Sequence, residues 1–338
     1  MKTSGRLLVL RVRPAVLFLL GLYAAIGFAQ AGAATSAWLL ARAFLVVAGF
    51  LVFSVAANDL ADEAVDRVNL PADEGRSLVS GRQTRHRLLV TATAAATLTL
   101  VASLTLGWRG FAVTAIGLAI SAGYSLPPTR WSGRGAVAAL VLPACYVAVP
   151  YLLGIFSIRP RLDWPDLALL AGLYLGFIGR ILLKDFRDVR GDALFGKRTF
   201  LVRHGRASTC RTSAVFWTVG SVLLMVTVRQ PSPTLIAAWS ICLAVSIHLL
   251  RLLSDDRGPR RDEALISALA IVGRGVMVML FAHLSMTDAR WSTLASSAVL
   301  AALLLVTLGQ AREMVVFGPR FVPWRSASEH RPAPAAEH

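Results

Sequence analysis

Asp59, Asp62 and Asp66 are separated by three and then four residues, and Asp185, Asp188 and Asp192 repeat that spacing. On a helix, steps of three and four put three carboxylates along one face. Like charges held side by side repel, so the arrangement calls for a cation. Carboxylate oxygens suit magnesium, which keeps several waters and bridges one or two carboxylates to substrate phosphates. Arg67, Arg76 and Arg82 flank the first triplet, and Lys184, Arg187, Arg190, Lys197 and Arg198 surround the second. Carboxylates, a divalent cation and basic side chains together form a clamp for a diphosphate, neutralising charge that develops on a departing group. A single triplet reads equally well as solvated loop charge. Two with one spacing, each starting where an apolar segment ends, point to a site.

The elements that must carry these loops are apolar segments of membrane-spanning length. They cover residues 14–33, 36–57, 88–106, 110–126, 136–158, 165–183, 212–228, 234–250, 264–284 and 291–309. About 20 apolar residues cross a hydrocarbon core as a helix, and no alternating pattern suggests a barrel. The first follows Lys2, Arg6, Arg11 and Arg13 and resembles a secretory signal, but its length and the span close behind it make it a transmembrane helix. Pro143 and Pro150 are expected to kink the fifth span. Residues 319–338, rich in Pro, Ala and charge, read as a flexible tail.

Composition agrees. The 338 residues are 56% hydrophobic and 16% charged, against roughly 25% charged in soluble domains. Mean hydropathy is +0.62. The net charge of +16 would suit a nucleic-acid binder only with a solvated basic face, and here 27 of the 35 cations fall in the termini and loops of one side of the membrane. Lys and Arg accumulate in cytoplasmic loops, so both termini and both acidic loops are expected in the cytoplasm and the chain in the cell membrane, with no nucleic-acid partner. Nine of nineteen acidic residues lie in the two acidic loops. Only three lysines occur, and Lys184 adjoins Asp185. Cys145, Cys210 and Cys242 have no metal-ligand spacing and read as small buried hydrophobes.

Asn58-Asp59-Leu60-Ala61-Asp62-Glu63-Ala64-Val65-Asp66 resembles the NDxxDxxxD motif of UbiA-type intramembrane prenyltransferases. Lys184-Asp185-Phe186-Arg187-Asp188-Val189-Arg190-Gly191-Asp192, followed by Gly196 and Thr199, resembles their second aspartate motif, and Tyr124-Ser125-Leu126-Pro127-Pro128 their YSxPP turn. The resemblance implies an all-α bundle of nine transmembrane helices around a central cavity over residues 10–285, to which the apolar stretch adds a C-terminal span within 286–318, with the tail beyond. It implies transfer of an isoprenyl group from a polyprenyl diphosphate to a hydrophobic acceptor, with Mg²⁺ as cofactor. Asp59, Asp62 and Asp66 would hold one magnesium and Asp185, Asp188 and Asp192 the other. Asn58, Arg76, Arg130 and Lys184 would contact the diphosphate, and Tyr124 would face the reacting carbon, though an interfacial structural tyrosine fits equally.

The sequence departs from the family pattern after the first triplet. The usual Arg-Pro-Leu reads Arg76-Ser77-Leu78, without the φ that proline fixes. Arg130 or Arg134 must supply the basic residue after YSxPP, and the span at 291–309 exceeds nine. Arg180 and Arg274 lie within spans, where charge is costly, and are candidates for an acceptor carboxylate or phosphate or, equally, for structural pairs. The expected reaction is magnesium-dependent prenylation of a lipophilic, aromatic acceptor, as in quinone synthesis. The alternatives are a phosphorylated polar acceptor, terpene cyclisation, and a non-catalytic cation- or lipid-binding membrane protein.

Overall fold

The computed structural model describes residues 13–32, 36–69, 78–81, 83–187 and 199–319. Among them there are no strands. Ten helices follow one another: α1 Pro14–Gln30, α2 Ala37–Asn69, α3 Arg85–Leu104, α4 Gly107–Ser125, α5 Ala136–Phe156, α6 Trp164–Ile181, α7 Phe200–Thr227, α8 Pro233–Ser254, α9 Pro259–Asp288 and α10 Thr293–Phe317. Eight are long and apolar enough to cross a membrane, α1 being shorter and α4 less apolar. The chain is an integral membrane protein.

Each expected span has its helix, but several helices run past the apolar segment. α2 continues to Asn69 and so carries the whole first triplet in helical geometry, and α7 begins at Phe200, well before residue 212. Caps explain several starts. Thr84, Thr199, Ser232 and Ser292 accept hydrogen bonds from Arg87, Val202, Leu235 and Ala295 backbone N–H groups. Gly205, at φ 75°, breaks the first turns of α7 from the rest. In α5 a π turn at Ala144–Ala148 directly follows Pro143 and absorbs the backbone irregularity that proline imposes.

Two apolar clusters fill the bundle, and α1 and α5 belong to both. Leu19, Leu22, Tyr23 and Ile26 of α1 join the cluster of α6–α10, while Leu20, Ala24 and Phe28 face that of α2 and α4. A helix apolar on all sides belongs inside a bundle, and α1 occupies that place. It packs on α5 backbone to backbone. A Cβ on Gly27 would lie 2.2 Å from the Tyr151 carbonyl oxygen, and one on Gly154 2.4 Å from that of Ala24. Without a hydrophobic force between helices in lipid, such close approach supplies much of the attraction. Gly27→Ala is therefore expected to destabilise the bundle by about 1–3 kcal/mol, read as a lowered unfolding midpoint in detergent. An unchanged midpoint would count against close packing at this crossing.

The membrane boundary is marked at one end. Trp38, Trp108, Trp164 and Trp291 are all exposed and stand at helix starts on the end remote from Asp59, as interfacial aromatics do. Arg42 lies 4.7 Å from the Trp38 ring centre and donates to the Thr105 carbonyl at 3.3 Å, so its charge reaches toward that boundary. Cys145, Cys210 and Cys242 are free and buried, as expected of small hydrophobes.

Candidate active site

The other end gathers the motif residues. Asp59, Asp62 and Asp66 project from one face of α2 and are 5%, 9% and 7% exposed. Carboxylates are almost never this buried unless held by partners. Asp62 is held on both oxygens: Asn58 donates to Oδ2 at 2.9 Å, and Arg130 donates to Oδ1 at 2.9 Å while its other contact reaches the Ala61 carbonyl at 3.1 Å. Arg13, at the start of α1, approaches Asp59 at 3.9 Å.

Arg130 is positioned by the turn that ends α4. Pro127–Pro128 is a cis peptide, and Arg130 follows with φ 36° and ψ 57°, left-handed backbone that few residues other than glycine adopt. Such conformations persist where surrounding structure enforces them, commonly at functional sites. Thr129 helps by donating to the Gly123 carbonyl at 2.8 Å. Of the two basic residues expected after the turn, Arg130 takes the role at Asp62.

The second motif is built differently from the first. α6 ends at Ile181, Leu182 and Leu183 are buried in the turn that follows, and Lys184–Arg187 forms a 3₁₀ turn. Asp185, 8% exposed, therefore leaves on tight-turn geometry and not on a continued α-helix. Asp188 and Asp192, and Arg76 of the first loop, lie outside the described residues. Lys184 donates from Nζ to the Tyr124 hydroxyl at 2.9 Å, tying the second motif to the end of α4. Ser132, Lys184, Asp185 and Thr199 share a small cleft.

Arg180 sits one turn before Lys184, its guanidinium 6.0 Å from the Phe177 ring centre, and lines a cavity between α1, α6, α7 and α9. Arg274 does not line that cavity, although Gly273, Val276 and Met277 of the same helix do. The two arginines are thus not brought together. Arg13 is legible in the sequence only as one of the N-terminal cations, because nothing in its local sequence says that α1 starts beside Asp59. Trp217 and Tyr23, both lining the Arg180 cavity, carried no motif at all.

All-oxygen donors of this kind fit a hard divalent cation. No three acidic, His or Cys side chains among the described residues form a ready metal cage. That suits magnesium, which needs one or two carboxylates when phosphate oxygens and water complete its shell.

A family model for the UbiA prenyltransferase family matches residues 18–272. The chain belongs to the UbiA prenyltransferase family. It is therefore a prenyltransferase. Among characterised relatives it is 28% identical over 222 residues to the bacteriochlorophyll synthase 34 kDa chain of Chloroflexus aurantiacus, covering 64% of this chain and 68% of the relative. It is 29% identical over 217 residues to chloroplastic homogentisate phytyltransferase 1 of Arabidopsis thaliana, covering 59% and 51%. Among solved structures, a UbiA homologue from Archaeoglobus fulgidus bound to DMAPP and Mg²⁺ superposes with a TM-score of 0.57 at 13% identity, over 91% of this chain and 98% of that one. A digeranylgeranylglyceryl phosphate synthase superposes at 0.60 and 19% identity, over 83% and 98%. These structural likenesses establish a UbiA fold.

Proposed function

We propose that this UbiA-family enzyme transfers an isoprenyl group from a polyprenyl diphosphate to a lipophilic, aromatic acceptor, with magnesium at the aspartate motifs. The observation that carries the reading is the buried carboxylate face of α2, with Asp62 fixed on both oxygens by Asn58 and Arg130. The relatives' names support the acceptor class, since one is a bacteriochlorophyll synthase and another acts on homogentisate. The non-catalytic alternative loses support, because a scaffold gains nothing from three like charges buried on one face.

When bound, magnesium would supply positive charge to the diphosphate oxygens as the bond to the allylic carbon breaks. Asp59, Asp62 and Asp66 would hold one ion and Asp185, with Asp188 and Asp192, the second. Arg130 keeps Asp62 in one orientation, and its remaining donors would be available to a diphosphate oxygen. Lys184 and Arg76 add point charges for the same oxygens. Tyr124 accepts from Lys184 and lies with its ring centre 5.6 Å from that ammonium, so the two are held together, and in this reading the ring would face the reacting carbon. Asn58 holds the second oxygen of Asp62 and so limits how that carboxylate can rotate.

The excess of Lys and Arg in the loops of this side supports a site and both termini on the cytoplasmic side of the cell membrane, where a water-soluble diphosphate would be released. The domain is assigned to residues 10–285, with α10 as an added span and 319–338 as a tail. The test is product mass after incubation of the purified protein with geranylgeranyl diphosphate and a panel of aromatic acceptors. Thorough chelation should stop diphosphate release, and added magnesium should restore it. Unchanged release after chelation would remove the metal from the reading.

A further inference from the structure

Asp185 leaves α6 on a single 3₁₀ turn, Lys184–Arg187. Hydrogen bonds of that type are poorly aligned and one turn holds few of them, so its shape depends on what its side chains touch. The Phe186 N–H reaches the Leu183 carbonyl only at 3.4 Å, against a usual ~2.9–3.0 Å. On one side of Asp185, Lys184 donates to the Tyr124 hydroxyl at 2.9 Å. On the other side stands Phe186, and the Arg206 guanidinium lies over its ring, 5.0 Å from the centre. The diphosphate clamp makes no use of Arg206.

Arg206 is itself fixed from several directions. It follows Gly205, whose φ 75° and ψ 171° lie in a region that essentially only glycine occupies. Its Nη1 donates to Asp262 Oδ1 at 3.0 Å and to the Leu253 carbonyl at 2.8 Å, and its Nη2 donates to Asp262 Oδ2 at 2.5 Å. Asp262 stands in the first turn of α9 and is 7% exposed. A bidentate pair of this kind is both strong and specific in geometry. Asp256, its side chain 75% exposed, adds a weak contact at 3.4 Å. A guanidinium can meet a carboxylate along its edge while its flat face covers an aromatic ring, and an ammonium cannot do both. A buried ion pair adds little net stability over apolar packing, and its best-attested use is to fix one arrangement. Here the arrangement joins α7, the end of α8 and the start of α9 to the residue that follows Asp185.

We propose that the Arg206–Asp262 pair is the support of the second aspartate motif: through the Phe186 ring it holds Asp185 in the orientation that takes magnesium-bound diphosphate. The proposal rests on the transferase reading above. Arg206, Asp262 and Phe186 are positioning residues that act through Asp185.

Three variants of the full chain in detergent test this. Arg206→Lys keeps the charge and loses the fork and the flat face, Phe186→Leu keeps apolar bulk and loses the ring, and Phe186→Tyr keeps the ring. Without metal, backbone amides of residues 184–187 should exchange about tenfold faster in the first two and at the original rate in the third. With magnesium, inorganic pyrophosphate should bind the first two about tenfold more weakly and Phe186→Tyr as tightly as the unsubstituted chain. Arg229→Lys, which alters the ion pair with Asp288 at the remote end, should change neither measurement. In turnover, Arg206→Lys and Phe186→Leu should raise the donor KM and leave the acceptor KM unchanged. Adding Phe186→Leu to Arg206→Lys should weaken binding little further, because both remove one contact. Pyrophosphate binding alike to the unsubstituted chain and Phe186→Leu, absence of binding included, would overturn the proposal, and so would fully additive losses in the double variant. Unchanged amide exchange in Phe186→Leu would do the same, and this variant decides the matter even where Arg206→Lys does not fold. Diphosphate release with donor, magnesium and acceptor judges the transferase reading separately: turnover with pyrophosphate binding insensitive to these variants removes only this inference, and sensitive binding without turnover removes only that reading.

Discussion

Asp62→Asn should lower diphosphate release by about 10³-fold or more while leaving the protein folded. Both Asp62 oxygens accept, one from Asn58 and one from Arg130. An amide has a single oxygen, so one of those donors would meet an NH₂ group in place of an acceptor. The substitution also removes one negative charge from a face that would balance divalent metal. The two losses fall on one step: the charge that holds the cation and the guanidinium that is held in register with it. Helix α2 itself does not depend on them, since its packing lies in residues such as Val46, Val47, Phe50 and Leu51. The check is pyrophosphate release alongside thermal unfolding. Near-normal release, or loss of release caused by unfolding, would sever Asp62 from the chemistry.

The first triplet was legible because helix geometry converts spacing into a face, and α2 obeys that geometry to Asn69. The second triplet shares the spacing, yet α6 stops before it reaches Asp185. Leu182 and Leu183 are buried in the turn that follows, and where the helix ends is something that spacing between aspartates does not encode. Apolar length gave the order and number of the helices, but their ends were set by caps such as Thr199 and by amphipathic turns beyond the hydrocarbon. Arg130 was one of two candidates, and it is Arg130 that reaches Asp62, from a left-handed backbone position that the sequence does not announce. Arg274 reads from sequence much like Arg180, a costly charge within a span. Helical rotation separates them: the Gly273 and Met277 positions of α9 line the cavity and the Arg274 position does not. Trp217 was illegible, because an indole among apolar residues looks like core until the atoms around its N–H are known.

Asp166→Ala should unfold the protein more readily by about 3–5 kcal/mol while leaving turnover per folded molecule unchanged. This carboxylate lies at the end of the bundle remote from Asp62 and is fully buried, at 0% exposure. Arg159 donates to its Oδ1 at 2.6 Å and Gln30 at 3.1 Å, and the Asp163 backbone N–H donates to Oδ2 at 2.8 Å. The same Arg159 also pairs with Asp163, and the Tyr151 hydroxyl donates to the Asp166 carbonyl. The Asp166 side chain thus joins α1, α6 and the α5–α6 loop, and its backbone carbonyl adds α5, with its charge at the α6 N-terminus, where the helix dipole favours an anion. Removing it leaves one side of the Arg159 guanidinium and the Gln30 amide without their acceptor in a buried setting, although Arg159 keeps Asp163, and this is the costly way to break an ion pair. Asp62 and Asp166 are both buried aspartates paired with arginine, so burial and pairing alone do not distinguish a structural carboxylate from a functional one. What differs is the surroundings. Asp166 takes three of the chain's own donors and shares Arg159 with Asp163, whereas Asp62 stands on a face with two further buried carboxylates, Asp59 and Asp66, whose combined charge a divalent cation would offset. Measurement of unfolding midpoint and residual kcat in both variants separates the two roles, and a large kcat loss in folded Asp166→Ala would refute the division.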